Sequence, residues 1–457
     1  MNKLLYSIYL LIVFLSIWGP IPNNTGGIII ILFFLLWFCF DKNFIFLSPA
    51  LTVPFIFILK AKSVDSLVIA TLTDIMMVLA ITYYFLININ SFSSIKKNVS
   101  IPVFLIILHL LYTCLNGLFY IQEITMYLVF LRTYALPLLY LLVLILVSKN
   151  NSRIPLNGFR FFLISLFIVQ SIAIFQYYDF IKIPSDNAIL GKYVTGIEGD
   201  FDYKTNITVP KRDLIGLLLP RLNMLTGGSV GSSASIVFVL GLLSLFSIRA
   251  KDHFNNVFKI IISFVLLLAA VLTISTSILI SILIFSFFYL SYRNKNLNKI
   301  FSFYIIPLFL ILSSSSLISI NGDLRIIDYI ELIYFNDNYS FLDLDWILGK
   351  GPILFSSGFN LIPENYIIDV GIFRVMQESG IINMLILITF IYKIITVCLN
   401  DIKLNKSKIT VLFSVLFTLL VCSVHTNFII YPPYNILFAL CSAWILSKDQ
   451  NKNFQII

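Results

Sequence analysis

Charged residues are scarce in this chain: Asp, Glu, Lys and Arg together make up 12% of its 457 residues. Soluble globular proteins carry about twice that share, roughly 25%. Hydrophobic residues reach 59%, and the mean hydropathy is +0.97. These values exclude a water-soluble globular domain and an intrinsically disordered chain, and they favour a protein embedded in a lipid bilayer.

Cysteine is also scarce, and its placement excludes two classes of site. The five cysteines are Cys39, Cys114, Cys398, Cys422 and Cys441. Each lies in an apolar run and none forms a CxxC pair, so we expect small buried packing residues. Neither a disulfide framework nor a thiolate metal site is indicated.

Apolar runs of roughly 17–23 residues recur from end to end, and each is long enough to cross a hydrocarbon core of about 30 Å. They lack the strict alternation of barrel strands, so the predicted fold class is all-α, a polytopic membrane protein. The first run lacks a clear cleavage site and is interpreted as a span. About fourteen transmembrane helices (12–14) are expected, at residues 4–19, 26–40, 44–59, 67–89, 101–121, 125–147, 160–181, 229–248, 257–274, 276–292, 300–318, 377–397, 409–425 and 430–446.

The connectors between these spans alternate in charge. One alternate set holds 19 of the 31 Lys and Arg residues but only 4 of the 22 Asp and Glu residues. By the positive-inside rule this set is cytoplasmic, together with both termini. Two long loops, 182–228 and 319–376, then lie on the outer face of a single transmembrane domain, 1–457. The basic pI of about 9.1 follows from this topology, so no nucleic-acid partner is indicated.

Two charges lie inside predicted spans. Asp74 and Arg132 each sit about seven residues from the outer end of a span, roughly 10 Å deep at 1.5 Å per residue. A lone charge at that depth is costly, so pairing or exposure to a polar cavity is expected. Arg132 either pairs with Asp74 or Glu123 and fixes helix packing, or faces a cavity and binds an anionic group.

The first long loop ends in a cation followed by a turn rich in glycine and serine. Arg221 precedes Gly227 and Gly228, and a predicted span opens directly after them. Glycine permits close backbone approach, and the free N–H groups of a helix start favour anions. We interpret this turn as a candidate phosphate cradle, although a loop-to-helix turn without a ligand has the same pattern. It is not a Walker A motif, because no Lys-Ser/Thr pair follows.

The second long loop ends in a charged stretch at the outer start of the next span. Asp369, Arg374 and Glu378 lie there, and Arg374 and Glu378 share a helix face at i, i+4. They form either a surface salt bridge or an acid/base and anion-binding set. Asp343 and Asp345 form an isolated DxD without further ligand spacing, so no metal is expected.

The three histidines are predicted to lie at different positions relative to the membrane. His253 is placed in the cytoplasm and His109 within an apolar span as a packing residue. His425 lies at the outer end of a span, level with the long loops, and is therefore the one histidine positioned to act as a base there.

Several short motifs together resemble a known family. Arg221-Leu precedes a Gly/Ser turn, the second loop carries Leu348-Gly-Lys-Gly, and Asp369-x-Gly-x-x-Arg runs into Glu378-x-Gly-Ile-Ile. With the many spans and two long outer loops, the chain resembles the Wzy-type O-antigen and capsule repeat-unit polymerases of the O-antigen polymerase/ligase superfamily. It departs from the family in two places: Thr273-Ile-Ser-Thr276 lacks the usual Arg, and Gly380-Ile-Ile-Asn383 replaces Gly-Ile-Ile-Gly.

The resemblance implies an integral-membrane glycosyltransferase of the bacterial inner membrane with its active site facing the periplasm. It would need neither a metal nor another cofactor. Donor and acceptor would be undecaprenyl-pyrophosphate-linked oligosaccharides, with membrane lipids, a chain-length regulator and a flippase as partners. Three cations are assigned to the pyrophosphate with the Gly227–Gly228 turn, namely Arg132, Arg221 and Arg374. Three groups compete for the role of base, namely Asp369, Glu378 and His425.

Three other functions remain open at this point. An O-antigen ligase shares much of the plan and would transfer the glycan to a lipid A core sugar. A lipid-linked oligosaccharide flippase can also have fourteen spans, but its loops are usually short and its charges lie within the spans. A structural scaffold is the least favoured.

Overall fold

The described part of the chain is helical apart from two short strand pairs. The computed structural model describes residues 2–19, 23–56, 58–59, 67–88, 100–121, 123–178, 180–181, 208–214, 217–222, 230–246, 253–273, 275, 277–293, 347–349, 353–354, 359–360, 371–403, 414–419 and 433–447, with only the backbone at some of them. The predicted all-α class is confirmed for the described residues.

The helices fall close to the predicted spans. In chain order they are α1 (Asn2–Trp18), α2 (Asn23–Phe40), α3 (Leu72–Asn88), α4 (Ile101–Tyr120), α5 (Ile124–Ser148), α6 (Arg153–Tyr177), α7 (Val230–Phe246), α8 (His253–Leu272), α9 (Ser277–Arg293), α10 (Gly371–Lys403) and α11 (Tyr434–Ile445). The end of α8 at Leu272 and the start of α9 at Ser277 confirm a helix break where the sequence predicts a turn. The predicted span 300–318 lies outside the described residues, as do most of 409–425.

Membrane embedding follows from length and composition. Among the described helices, α4, α5, α6 and the Glu378–Val397 part of α10 are long and apolar enough to cross a bilayer. Six further apolar helices are shorter, at 10–17 residues. Large apolar side chains are exposed along α4 at Leu108, Leu111, Leu115 and Leu118, a pattern that suits contact with lipid rather than water.

The predicted span 44–59 differs from a regular helix. It consists of three short helical pieces, Lys42–Phe46, Ser48–Thr52 and Val53–Phe55, which we call the buried connector. Pro49 and Pro54 explain the breaks, because proline removes a backbone donor and clashes with the preceding turn. The side chain of Asp41 accepts from the backbone N–H of Asn43 at 3.1 Å and so caps the first piece.

The buried connector is held by hydroxyl groups from neighbouring helices. Tyr9 donates to the carbonyl of Leu51 at 3.1 Å, and Tyr140 donates to the carbonyl of Phe46 at 2.7 Å. Irregular backbone at membrane depth requires such partners, because lipid offers none. The Trp37 indole stacks on Phe44 with ring centroids 3.7 Å apart.

Helices α2 and α3 run parallel, so the connector crosses the bundle between them. Near the start of α2, a Cβ at Gly27 would lie 2.9 Å from the side chain of Val68, in the short helix Leu67–Ala70 that comes before α3. Near the other end, the rings of Phe38 and Tyr83 are 4.7 Å apart. Parallel neighbours require the intervening chain to return to the starting side of the bundle.

Helix α5 contains a π-helical turn at Leu131–Ala135. Pro137 follows it, and a proline ring at this position would collide with the carbonyl of Thr133 in a regular α-helix. The wider turn avoids that collision, and the Thr133 hydroxyl donates back to the carbonyl of Val129 at 2.9 Å. Such π turns are frequent at functional sites.

Two antiparallel strand pairs lie in the long loops. The first pairs β1 (Thr208–Leu214) with β2 (Leu217–Leu222), and the second pairs β3 (Ile353–Leu354) with β4 (Phe359–Asn360). The register of the first hairpin shifts between Val209 and Arg212. Pro210 lies in that interval, and a proline that cannot donate to the ladder is accommodated at such a bulge.

Candidate functional site

The centre of the candidate site is a buried carboxylate. Glu378 lies near the start of α10 with only 2% of its surface exposed, and the Tyr134 hydroxyl donates to its Oε2 at 2.8 Å. Tyr134 projects from the π turn of α5 and packs on Phe130 with ring centroids 5.0 Å apart. Glu378 therefore lies in the interior, whereas the side chain of Arg374, its predicted partner at i, i+4, lies outside the described part of the structure.

The same π turn holds the intramembrane cation. The Arg132 Nε lies 2.6 Å from Oδ2 of Asp74 on α3, with 43% of the Arg132 side chain and 23% of the Asp74 side chain exposed. Of the two partners that the sequence left open, the ion pair therefore selects Asp74 over Glu123. Arg132 and Tyr134 are two residues apart, so one turn of α5 contacts a carboxylate on each of two other helices.

A short segment of the second long loop is fixed against α4. Its three consecutive backbone carbonyls accept from three side chains of one α4 face: Ile347 from the Tyr112 hydroxyl at 3.1 Å, Leu348 from Asn116 Nδ2 at 2.7 Å, and Gly349 from the Tyr120 hydroxyl. We call residues 347–349 the docked segment. The i, i+4, i+8 spacing of the donors gives each carbonyl a partner one helical turn further along.

Two glycines bring the docked segment against the carboxylate-bearing turn of α10. Gly349 and Gly380 have φ of +89° and +84°, a region that favours glycine. A Cβ on Gly349 would lie 2.4 Å from the carbonyl oxygen of Glu378, and a Cβ on Gly380 would lie 2.1 Å from that of Ile347. The two backbones are therefore in direct contact, and α10 is interrupted at Gly380.

A polar cluster lies one turn further along α10. Asn383 Nδ2 donates to Thr113 Oγ1 and to Ser379 Oγ, each at 3.0 Å, and all three side chains are buried. His109, one turn before Thr113 on α4, lies beside Asn383. Within the described part of the chain, neither Nδ1 of His109 nor Oδ1 of Asn383 has a hydrogen-bond partner. His109 is thus buried, as predicted, but its imidazole is not fully satisfied.

The remaining predicted site residues are described partly or not at all. Arg221 lies in β2 opposite Val209, and Arg374 lies in the first part of α10, each with its backbone alone described. The other four predicted site residues lie outside the described residues: Asp369, His425, Gly227 and Gly228. Among the residues that are described, no group of three or more His, Cys, Asp or Glu side chains comes together.

Sequence reasoning missed the residues that hold this arrangement. The roles of Tyr134, Tyr112, Asn116 and Tyr120 were not predicted from the sequence. A signal was nevertheless present, because polar residues at 112, 116 and 120 recur at helical spacing within an apolar span. Pro137 likewise marked a disturbance within a predicted helix.

The fold and site define a helical, membrane-embedded protein with a buried carboxylate beneath a docked loop segment. Comparison with known proteins adds no identification: no protein-family model, no curated protein and no solved structure matches this chain.

Proposed function

We propose that the protein is an integral-membrane glycosyltransferase that polymerises undecaprenyl-pyrophosphate-linked oligosaccharide repeat units into O-antigen or a capsule-like polysaccharide. It acts at the periplasmic face of the bacterial inner membrane, with a flippase supplying substrate and a chain-length regulator as a further partner. The nascent glycan leaves its lipid and joins the sugar of the incoming unit.

The observation that carries this proposal is the meeting of two motifs. The Leu348-Gly349 part of Leu-Gly-Lys-Gly packs directly on the Glu378-Ser379-Gly380 turn, although some thirty residues separate them in the sequence. These two motifs also contribute to the resemblance to the repeat-unit polymerases. Their contact supports a shared role in one site.

The chemistry assigned to this site is a glycosyl transfer without a nucleotide sugar. The acceptor hydroxyl oxygen attacks the anomeric carbon of the donor glycan, the bond from that carbon to the pyrophosphate oxygen breaks, and lipid pyrophosphate leaves. The acceptor proton passes to a general base. Cations at the leaving group stabilise the charge that develops on the pyrophosphate.

Among the three candidate bases, Glu378 lies within the described part of the chain, and its surroundings support this role. Its carboxylate accepts from Tyr134, and its own backbone carbonyl lies against Gly349. Asp369 and His425 remain candidates from the sequence. Arg132, Arg221 and Arg374 keep the pyrophosphate role, together with Gly227 and Gly228.

The test is the lipopolysaccharide or capsule profile of a deletion strain complemented with plasmid-borne variants. A polymerase predicts that the deletion accumulates single-repeat lipopolysaccharide and that wild-type protein restores long chains. Loss of all capped lipopolysaccharide would instead indicate a ligase, and lipid-linked units retained on the cytoplasmic face would indicate a flippase. Among complementing variants, Arg221→Ala or Arg374→Ala that leaves long chains intact at normal expression removes that residue from the mechanism.

A further inference from the structure

Side chains span the interruption of α10 at Gly380. Ser379, just before the interruption, donates its hydroxyl hydrogen to the carbonyl of Val375 at 2.8 Å. Asn383, just after it, donates from Nδ2 to Ser379 Oγ and to Thr113 Oγ1 on α4, each at 3.0 Å. Because the helix is irregular at this point, these bonds tie the first part of α10 to the rest of the helix and to α4.

The direction of these hydrogen bonds determines how the Asn383 amide is oriented. The hydroxyl hydrogen of Ser379 is used by Val375, so Ser379 Oγ accepts from Asn383. The atom of Asn383 that faces Ser379 is therefore the donor Nδ2, and the carbonyl oxygen Oδ1 takes the other position. A buried carbonyl oxygen requires a donor, because leaving it unsatisfied is costly.

His109 is the neighbour that can supply this donor. It lies on α4 one turn before Thr113, beside both the side chain and the backbone of Asn383. Only 6% of His109 and 0% of Asn383 is exposed. In the described part of the chain, His109 Nδ1 and Asn383 Oδ1 both lack a hydrogen-bond partner. A neutral imidazole carries one N–H, and the hydrogen bond that it makes decides which nitrogen holds the proton.

We propose that His109 is a positioning residue: its imidazole carries the proton on Nδ1, donates it to Asn383 Oδ1, and thereby holds the turn that bears Glu378 in place. The role for Glu378 rests on the proposed function, whereas the hydrogen bond does not. Asn383 is also one of the positions at which the chain departs from the family that it resembles. The proposal gives that departure a partner on α4.

The bond from His109 keeps the Asn383 amide from turning over. A turned amide would place Oδ1 against Ser379 Oγ, whose hydrogen is already used, so that two acceptors would face each other. The bond to Ser379 would then be lost, and the adjoining Glu378 would be held less firmly. A candidate base that is displaced from the acceptor hydroxyl lowers kcat while substrate binding, and with it KM, is retained.

The position of the proton is measured by solid-state NMR. Full-length protein in liposomes carries histidine labelled in both ring nitrogens, and the signals of His109 are those that disappear in His109→Asn. We expect a proton on Nδ1, and its N–H signal should move in Asn383→Leu, which removes the acceptor. An Nδ1 without a proton, or an N–H signal that stays in place in Asn383→Leu, overturns the proposal.

Two substitutions of His109 separate the roles of its two nitrogens. Asparagine places an amide N–H close to the position of Nδ1, whereas glutamine places its amide N–H close to that of Nε2. In an assay with lipid-linked repeat units extracted from the deletion strain, His109→Asn should keep most of the wild-type kcat. His109→Gln should lower kcat about tenfold with KM unchanged, because Asn383 Oδ1 loses its donor. Equal kcat in the two variants, at equal expression, overturns the proposal.

Substitution of Asn383 tests whether the two residues act together. Asn383→Leu removes the whole amide and should lower kcat at least as far as His109→Gln. Adding His109→Gln to it should cause no further loss, because the acceptor is already gone. Gln170→Leu is the matched control, since Gln170 is an equally buried amide on α6 whose side chain has no partner among the described residues. It should leave kcat unchanged, and a loss as large as that of Asn383→Leu would contradict a specific role for Asn383.

Failure of the proposed function would give a different result from failure of this inference. If the protein is not a polymerase, a deletion strain still makes long polymer, while the Nδ1 proton of His109 and its response to Asn383→Leu are observed as expected. If the inference alone is wrong, the deletion strain accumulates single repeats, but Nδ1 carries no proton or does not respond to Asn383→Leu.

Discussion

Tyr134 donates a hydrogen bond to Glu378 across 244 residues of sequence, and both side chains are buried. The bond joins the π turn of α5 to the first part of α10. It fixes the carboxylate next to the docked segment, at the level where the second long loop meets the helix bundle. Substitution of either residue therefore tests the candidate site.

Substitution at Glu378 and Tyr134 should affect polymer length to different degrees. Glu378→Gln removes the proton acceptor, and loss of a general base typically lowers a rate about 10²- to 10⁴-fold, so chains beyond single repeats should disappear. Tyr134→Phe keeps the ring but loses one hydrogen bond to a charged group, and such a bond contributes about 1.5–3 kcal/mol. We therefore expect the rate of polymerisation to fall roughly tenfold or more. Gel profiles of the surface polysaccharide, normalised to expression, measure both effects.

The matched control for Tyr134 lies on the same helix. The hydroxyl of Tyr127 donates to the backbone carbonyl of Cys114 at 3.3 Å and contacts no candidate base in the described structure. Tyr127→Phe should therefore leave chain length unchanged. Equal losses in Tyr127→Phe and Tyr134→Phe would mean that α5 packing, rather than Glu378, is responsible.

The backbone contact between Gly349 and Gly380 should tolerate no side chain. Alanine at either position must adopt a positive φ, which costs about 1–2 kcal/mol, and its Cβ would also overlap backbone atoms that cannot rotate away. Gly380→Ala and Gly349→Ala should each lower the midpoint of thermal unfolding in detergent and abolish polymer.

A glycine in an ordinary helix provides the comparison. A Cβ on Gly241 in α7 would lie 3.0 Å from the Leu267 side chain, which can move, so Gly241→Ala should be far milder. If Gly380→Ala were as mild as Gly241→Ala, the docked segment would not be held against α10 in the way described.

The sequence predicted the helical class and most helix positions because apolar runs of bilayer length report burial in lipid directly. The broken backbone within the predicted span 44–59 was not predicted, because it depends on hydroxyl partners such as Tyr9 and Tyr140 from distant helices. Glu378 was found because a charge at the edge of a span is conspicuous. Its partner Tyr134 was not, because the contact requires the tertiary arrangement of α5 and α10.

The three hydrogen bonds that α4 donates to carbonyls of the docked segment should slow local opening of the segment, and with it exchange of its amides. Asn116→Leu removes the 2.7 Å hydrogen bond to Leu348 and leaves that carbonyl without its described side-chain partner. We expect faster hydrogen exchange at the amides of 347–349, and the double variant Tyr112→Phe/Asn116→Leu should exchange faster still. Hydrogen–deuterium exchange with mass spectrometry of peptides covering these residues measures the effect.

Thr389→Val provides the corresponding control on α10. The Thr389 hydroxyl donates only within its own helix, to the carbonyl of Leu385 at 2.7 Å, among the contacts described. Exchange at 347–349 should therefore stay at the wild-type rate. Unchanged exchange in Asn116→Leu as well would show that the loop is held by other contacts.

The buried connector should depend on the stacking of Trp37 with Phe44. Trp37 is fully buried, so Trp37→Ala leaves a large cavity, and such truncations cost about 3–5 kcal/mol. Trp18 stacks on Phe14 near the end of α1 but is 38% exposed, so Trp18→Ala should cost much less. Thermal unfolding of both variants in the same detergent compares them directly.

The predicted topology places the two ends of α5 on opposite sides of the membrane. In a variant with all five cysteines replaced by alanine, cysteine at Glu123 should react with a membrane-impermeant maleimide in spheroplasts. Cysteine at Asn150, just beyond the other end of α5, should react only after permeabilisation, because the positive-inside rule places that connector in the cytoplasm. Both positions are exposed in the structure, so a difference in labelling reports the side of the membrane rather than burial. If Asn150→Cys reacted from outside, the orientation would be the reverse of the predicted one and the Glu378 site would lie at the cytoplasmic face. A polymerase that uses periplasmic lipid-linked units has no substrate there.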